Sequence, residues 1–394
     1  MSIHQHELLT VTWDQVAAFR LSRHHLLDRV PIDDLASVVS NMGGAQAQLL
    51  SAAKASLWPR VRDLQIAQVE EALNDRTLVR AACMRQTLFL VPSSQLAIFV
   101  RGSARRAEKE IRWARGKGVP DRVINAVIDA TLDVLDQPLT RTEIAEHVSR
   151  ALGTKTQDVH GGGWGSGRKI AAVPVGDLAY PVVDLLHLVA ARGVVCYGPN
   201  QGNELTFVRA DAWIPQWEDV PRAQAEDTLL RIYLRAFGPA TIADFAWWTG
   251  ITLRDAREIW ARGQADIAPV DVEGRKAGVL WDDLNALAQA RFERPLICLL
   301  SHFDSFLLGH KDREHLLSTK HKPKVYRPQG WIVPVILLDG RIIAVWENVQ
   351  EKDRLHIKVE KLDSISRNAA AGIHEEAQDL GRFLGIPDVD VHIN

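Results

Sequence analysis

Cysteine is scarce in this chain. The three thiols in 394 residues, Cys83, Cys196 and Cys298, lie far apart, with no Cys-x-x-Cys pair and no Cys/His ligand spacing. That argues against a disulfide framework and against a structural zinc, and leaves the three as buried thiols. Uncharged apolar runs of about 18 residues are also missing, so no transmembrane helix is expected. The N-terminus lacks the basic and apolar regions of a secretory signal. These absences lead to a soluble, cytoplasmic protein with no membrane partner. The length suits two to four modules, and the 46% apolar share is enough for sizeable cores.

A surplus of charge is missing too, since the formal net charge is −2, yet the charge is unevenly spread. Arg101, Arg105, Arg106, Lys109, Arg112, Arg115 and Lys117 face only Glu108 and Glu110 across one short stretch. A second stretch carries Lys311, Arg313, Lys320, Lys322, Lys324 and Arg327 against Asp312 and Glu314. Patches of this kind on a near-neutral protein fit contact with a polyanion over a limited face. Solvated helix faces are the alternative.

Gly43-Gly44-Ala45-Gln46-Ala47-Gln48-Leu49-Leu50 interrupts a helical pattern with two polar amides. Leu35, Ala36, Val38, Val39 and Met42 recur at helical spacing behind Asp33 and Asp34, so a helix should arrive here and stop at the glycines. If the next residues run extended, Gln46 and Gln48 project to one side. A solvated turn is the plainer reading of Gln-Ala-Gln on its own.

The order of elements repeats. A helix from Thr12 or Asp14 to about residue 29, the helix ending at Met42 and helices over 49–61 and from Gln68 lead into two short strands between Thr77 and Val91, around Cys83 and Met84. Val123–Leu135, the capped helix after Pro138, and Tyr180–Arg192 precede a hairpin through Gly193–Tyr197 and Leu205–Val208. A third copy begins near Ala225, turns at Gly238-Pro239, and ends in a hairpin over Ile267–Leu280 tipped by Glu273-Gly274. Helices followed by a hairpin match a winged helix-turn-helix unit. The expectation is an α+β chain of three tandem winged-helix units and a C-terminal β-barrel, divided at 1–118, 119–215, 216–290 and 291–394. In the last part Asp339-Gly340 should form a hairpin turn, and one helix should lie around Glu375–Phe383. An insertion over Lys155–Val173 carries His160-Gly161-Gly162-Gly163-Trp164-Gly165-Ser166-Gly167-Arg168-Lys169. Its glycines predict a loop or hairpin tipped by Trp164, Arg168 and Lys169, suited to a DNA groove. A disordered linker is the alternative.

Several of these segments resemble the winged-helix DNA glycosylases of the AlkZ and YcaQ type, over most of the chain. The anchors are Gln46-Ala47-Gln48, Arg85-Gln86-Thr87-Leu88-Phe89-Leu90-Val91, the run from Ser301 to Arg313, and Gly330 to Arg341. Phe89 stands where a histidine is frequent in the family. The resemblance implies Gln46 and Gln48 as the catalytic pair, with excision of N7-alkylated purines and unhooking of interstrand crosslinks. It also implies a monofunctional, monomeric hydrolase on double-stranded DNA with alkylated or crosslinked purines, without cofactor, metal or obligate protein partner. The two basic stretches and the Gly-rich tip would contact phosphates. Asp304 and Asp312 read as structural ion-pair partners of Arg313, and Trp247 and Trp248 as core. The rival is a dimeric winged-helix transcriptional regulator, and a third reading is a non-catalytic DNA-binding protein. The rival is weakened by the missing dimerisation helix and by sparse basic residues on the expected recognition helices.

Overall fold

The computed structural model describes residues 8–160, 169–175, 178–181, 186, 189, 195–202, 204–214 and 216–394. Two units can be separated, Met1–Asp75 with Leu230–Trp248 and Ala256–Asn394, and Arg76–Leu229 with Thr249–Asp255.

In the first unit, the helix Trp13–Arg23 is started by a reciprocal cap. The Thr12 hydroxyl accepts from the Gln15 amide at 3.2 Å, and the Gln15 side chain accepts from the Thr12 amide at 3.0 Å. It ends at Arg23, earlier than the sequence pattern suggested, because His25 takes a left-handed conformation (φ 54°). The hairpin Ile267–Val272/Arg275–Leu280 turns at Glu273 and Gly274, both at positive φ. Leu9–Val11 adds parallel to its first strand, a pairing that three residues of sequence could not announce.

At the C-terminus the strands Ile297–Leu300, Val335–Leu338, Arg341–Glu351, Arg354–Lys361 and Asp388–Ile393 form one sheet in that order. Asp339 and Gly340, at φ 50° and 78°, make the expected turn. The expected barrel is not formed, because the sheet is open. The last strand pairs parallel with Arg354–Lys361, and a parallel pair needs a crossover, here the helix Arg367–Leu384. That helix lies against the first and last strands, with a Cβ at Gly372 meeting Ile297 at 3.0 Å and one at Gly381 meeting Val389 at 2.3 Å. It therefore covers apolar surface that closure would otherwise bury.

In the second unit, strands Leu88–Pro92, Leu78–Ala82, Val195–Tyr197, Thr206–Arg209 and Leu139–Thr140 pair in that order. The helices Asp121–Asp133 and Arg141–Ala151 pack Ile124, Val127, Ile144 and Val148 against Phe207. Thr140 and Glu143 form a second reciprocal cap. The Gly-rich insertion is flanked by an antiparallel pair, Gln157–His160 with Lys169–Val175. Trp164 and Arg168 lie outside the described residues, as does the Lys169 side chain. Tyr180 and Pro181, expected to open a helix, instead end the strand Leu178–Pro181, which pairs with Lys169–Val175. An apolar run of that length fits either structure.

Two histidines of the first unit, His24 and His310, are buried, and a third, His315, is half-buried. His24 Nε2 donates to the Ala236 carbonyl at 3.1 Å, and His310 Nε2 to that of Phe237 at 2.9 Å. Arg20 donates to His315 Nε2 at 3.0 Å, and the His315 ring stacks on Trp13. Burial and neighbouring cations push all three well below the usual histidine range of 6.5. In the unfolded chain these rings protonate near 6.5, so the unfolded state gains protons as pH falls below that value. Stability present above 6.5 is then lost. Burial pushes the Glu376 carboxyl up to about 7, which opposes this effect between about 4.5 and 7. His25 and His302 are lowered as well and Asp283 is raised, so the depressed histidines outnumber the raised carboxyls. Stability is therefore expected to fall as pH is lowered from about 6.5 toward 4.5. Denaturant midpoints across that range check this, and a flat profile would show that the rings protonate in place.

Candidate active site

The helix Leu35–Asn41 stops in a Schellman motif. The Gly44 amide donates to Val39 O at 2.8 Å and the Gly43 amide to Ser40 O at 2.9 Å, with φ of 71° at Gly43 and 83° at Gly44. Gly43 also lies close against its neighbours, since a Cβ there would sit 3.0 Å from Phe237 and 3.2 Å from Trp248 and would need those rings to shift. The glycine pair is thus fixed both by backbone conformation and by close approach.

Ala45 and Gln46 form a short strand, the chain bends at Gln48, and the helix Leu50–Leu57 follows. Ala45 and Ala47 are fully buried. Gln46 is 8% exposed, whereas Gln48 is exposed. The two amides therefore differ in exposure, Gln46 being covered and Gln48 open to solvent.

The motif from Ser301 onward clasps this turn from both sides. The buried Ser305 hydroxyl donates to the Gly44 carbonyl at 2.6 Å, two residues ahead of Gln46. Ser301 donates to the Ala52 carbonyl at 2.8 Å, in the helix behind Gln48. Between them Asp304 accepts from Arg60 twice, Nη1 to Oδ2 at 2.9 Å and Nη2 to Oδ1 at 2.7 Å, with both side chains at 0% exposure. The same carboxylate caps the short 3-10 helix Ser305–Leu308 through the Phe306 amide, and Arg60 also donates to the Ser56 carbonyl. Asp304 therefore pairs with Arg60, and Asp312 with Arg275 at 3.2 Å, which corrects the expected pairing of both with Arg313. The sequence could not reveal this, because 244 residues separate Arg60 from Asp304.

Lys54, the lysine closest in sequence to the glutamines, is held by Glu70 at 2.8 Å. Phe89 is 1% exposed, so this departure from the family pattern is a packing residue of its strand. Its hairpin turns through Arg85 and Gln86 at φ 56° and 57°. Among the described residues no cluster of three or more His, Cys, Asp or Glu could hold a metal ion. Cys83, Cys196 and Cys298 are buried, with the Cys196 thiol pushed up to about 12 by burial.

The first basic stretch is partly consumed within its own unit. Arg101 pairs with Asp219, and Arg105 with Glu226 and Asp255. Arg106 is half-buried. Lys109, Arg112, Arg115 and Lys117 are exposed on or beside the helix Ala104–Gly116, although Arg112 approaches Glu108 and Arg115 pairs with Asp121. Trp113, not singled out in the sequence, is 49% exposed among them, with the Lys117 ammonium 5.9 Å from its ring. An aromatic on the polar face of an amphipathic helix was the available signal. In the second stretch Lys311, Lys320, Lys322 and Lys324 are exposed, Lys324 pairing with Glu360. Arg313 is half-buried against Trp247 and Tyr326. Trp247 and Trp248 pack on the core as expected.

Replacing Asp304 with Ala should cost about 3–5 kcal/mol, since it strands a buried guanidinium. The double change Arg60→Met with Asp304→Leu should recover most of that loss. Urea denaturation of the three proteins is the check. A single-variant loss under about 1 kcal/mol would make the pair energetically idle.

The model of a family described as DNA glycosylase AlkZ-like matches residues 39–383. A Streptomyces sahachiroi protein named as an interstrand DNA cross-link repair glycosylase is 30% identical over 397 residues, spanning 98% of this chain and all of that one. The solved structure of Streptomyces sahachiroi DNA glycosylase AlkZ is similar with a TM-score of 0.81 at 29% identity, covering 98% of this chain and 100% of the other.

Proposed function

The chain belongs to the AlkZ-like DNA glycosylase family, and from that membership we propose that it hydrolyses the N-glycosidic bond of cationic N7-alkylated purines and unhooks the interstrand crosslinks they anchor. It is a hydrolase of N-glycosyl bonds, and DNA is its substrate class. The relative's name as a crosslink repair glycosylase supports extending the reading to crosslinks. The three successions of helices and hairpin are read as winged-helix units that hold the duplex.

One observation carries the mechanism: the Gln46 turn is locked by a Schellman stop before it and held by Ser305 and Ser301 on either side. An N7-alkylated guanine is already cationic and leaves without an acid to protonate it. The tasks that remain are to stabilise an oxocarbenium-like sugar and to place a water, which oriented dipoles can do. Gln46 and Gln48 supply neutral carbonyl oxygens for both tasks. Because the turn is held by hydrogen bonds at Gly44 and Ala52, little reorganisation is needed when charge develops. Glutamine is a poor general base, so uncharged bases should be poor substrates. With Lys54 engaged by Glu70, a Schiff base at this turn is disfavoured, and the reading is hydrolysis without strand cleavage.

Single-turnover release of base from duplex DNA carrying N7-methylguanine tests this. The native chain should release it, and Gln46→Ala and Gln48→Ala should each slow release by roughly 100- to 1000-fold with little change in melting temperature. Release no faster than spontaneous depurination would refute the assignment.

A further inference from the structure

Arg313 is out of place among the cations of its segment. It is half-buried, and its guanidinium carbon lies 4.5 Å from the Trp247 ring and 4.1 Å from the Tyr326 ring. Its Nε is buried with no hydrogen-bond partner. No carboxylate among the described residues pairs with it, because each acid near it in sequence is used elsewhere. Asp304 holds Arg60, Asp312 holds Arg275, and Glu314 accepts from the Thr319 hydroxyl. Burial lowers its pKa from the usual arginine value, and the only opposing influence is Tyr326. A half-buried charge with no counter-ion and a buried, unpartnered Nε carries a desolvation cost that nothing beyond the two rings offsets.

The two rings are themselves fixed. Both pack on the hydrophobic cluster around Phe306, Leu307 and Val325, and the Tyr326 hydroxyl donates to the Leu307 carbonyl at 3.3 Å. A guanidinium set against rigid aromatic faces keeps its in-plane N–H groups for bonding, and their forked geometry matches two oxygens of a tetrahedral anion. Exposed Lys311, Lys320 and Lys322 on the same segment add a field that draws such an anion.

We propose that Arg313 is a preformed fork for one DNA phosphodiester, oriented by Trp247 and Tyr326. The proposal rests on DNA as the substrate class, not on the roles given to the glutamines. It separates Arg313 from the surrounding lysines, which act as diffuse, salt-screened charges. The fork fixes where the duplex backbone lies on this unit and therefore acts on binding and register rather than on bond cleavage.

The test uses the full chain with Arg313→Met and Arg313→Lys. Melting temperature is measured without DNA, affinity on undamaged and N7-methylguanine duplexes, and release rate at saturating DNA. Arg313→Met should melt at or above the native temperature, because it removes an unpaired buried charge, while duplex affinity falls about 10- to 100-fold. Arg313→Lys should lose similar affinity, since an ammonium cannot form the fork. Native affinity in Arg313→Met overturns the proposal. So does a melting temperature lowered by more than about 4 °C in Arg313→Met and restored by lysine, which would mark a structural role. Inorganic phosphate that raises the native melting temperature but not that of Arg313→Met, with DNA affinity equal in the two, would assign the fork to a free anion and also overturn it. If no base is released but affinity still depends on Arg313, the glycosylase mechanism fails and the fork stands.

Discussion

The buried pair of Arg60 and Asp304 is the constraint on which the candidate site depends. Two charges with no solvent exposure are expensive to desolvate, and their attraction repays that cost only when every lone pair is used. Here the two carboxylate oxygens take two guanidinium bonds and the Phe306 amide, and the guanidinium also reaches the Ser56 carbonyl, which leaves only its Nε without a partner. A hydrophobic pair of the same volume could hold these segments together as firmly. It could not fix the rotation of the 3-10 turn that places Ser305 under the Gly44 carbonyl. The ion pair thus specifies register, and its effect reaches the glutamines through one hydroxyl.

A second set of polar contacts joins the N-terminal helix to the Leu230–Trp248 stretch within the same unit. Arg20 is buried and donates to the Gly238 and Pro239 carbonyls at 3.3 and 2.7 Å, as well as to His315. Burial lowers its pKa to about 10. Tyr233 donates to the Gly309 carbonyl, and Asp244 accepts from the Lys311 amide. Burial, with Arg20 as a neighbouring cation, pushes the His310 and His315 rings toward their neutral form. The pH sensitivity of the fold and the rigidity of the stretch that carries Phe237 and Trp248 against Gly43 have this common origin.

Local chemistry made part of this legible in the sequence. The stop at Gly43-Gly44 follows from an apolar helical face meeting two glycines, and the turns at Glu273-Gly274 and Asp339-Gly340 follow from residues that tolerate positive φ. The long-range pairings were not legible. Periodicity states which face of a strand is apolar but not which neighbour it meets. The parallel pairing of Asp388–Ile393, which keeps the C-terminal sheet open, therefore lay beyond it. The partner of Asp304 was hidden for the same reason, since charge complementarity assigns no address and Arg313 was nearer in sequence. Gln46 and Gln48 could be named from the motif and its resemblance, whereas the serines that hold their turn looked like ordinary polar residues of a buried run.

The treatment of charge also bears on how such a chain would hold DNA. A net charge of −2 leaves little long-range attraction. Several arginines that look like phosphate contacts in sequence are spent on carboxylates, Arg101 on Asp219 and Arg105 on Glu226 and Asp255. Within the two basic stretches the exposed cations without a carboxylate partner among the described residues are mostly lysines, including Lys109, Lys311, Lys320 and Lys322. Lysine is a mobile point charge, so contacts of this kind let a protein sample duplex without fixing its position. An enzyme that must find rare lesions gains from weak, reversible contact during the search and from a few rigid contacts at the lesion. Rigid contacts require groups already immobilised by packing, and the clasped glutamine turn and the guanidinium set against two rings are groups of that kind in this chain.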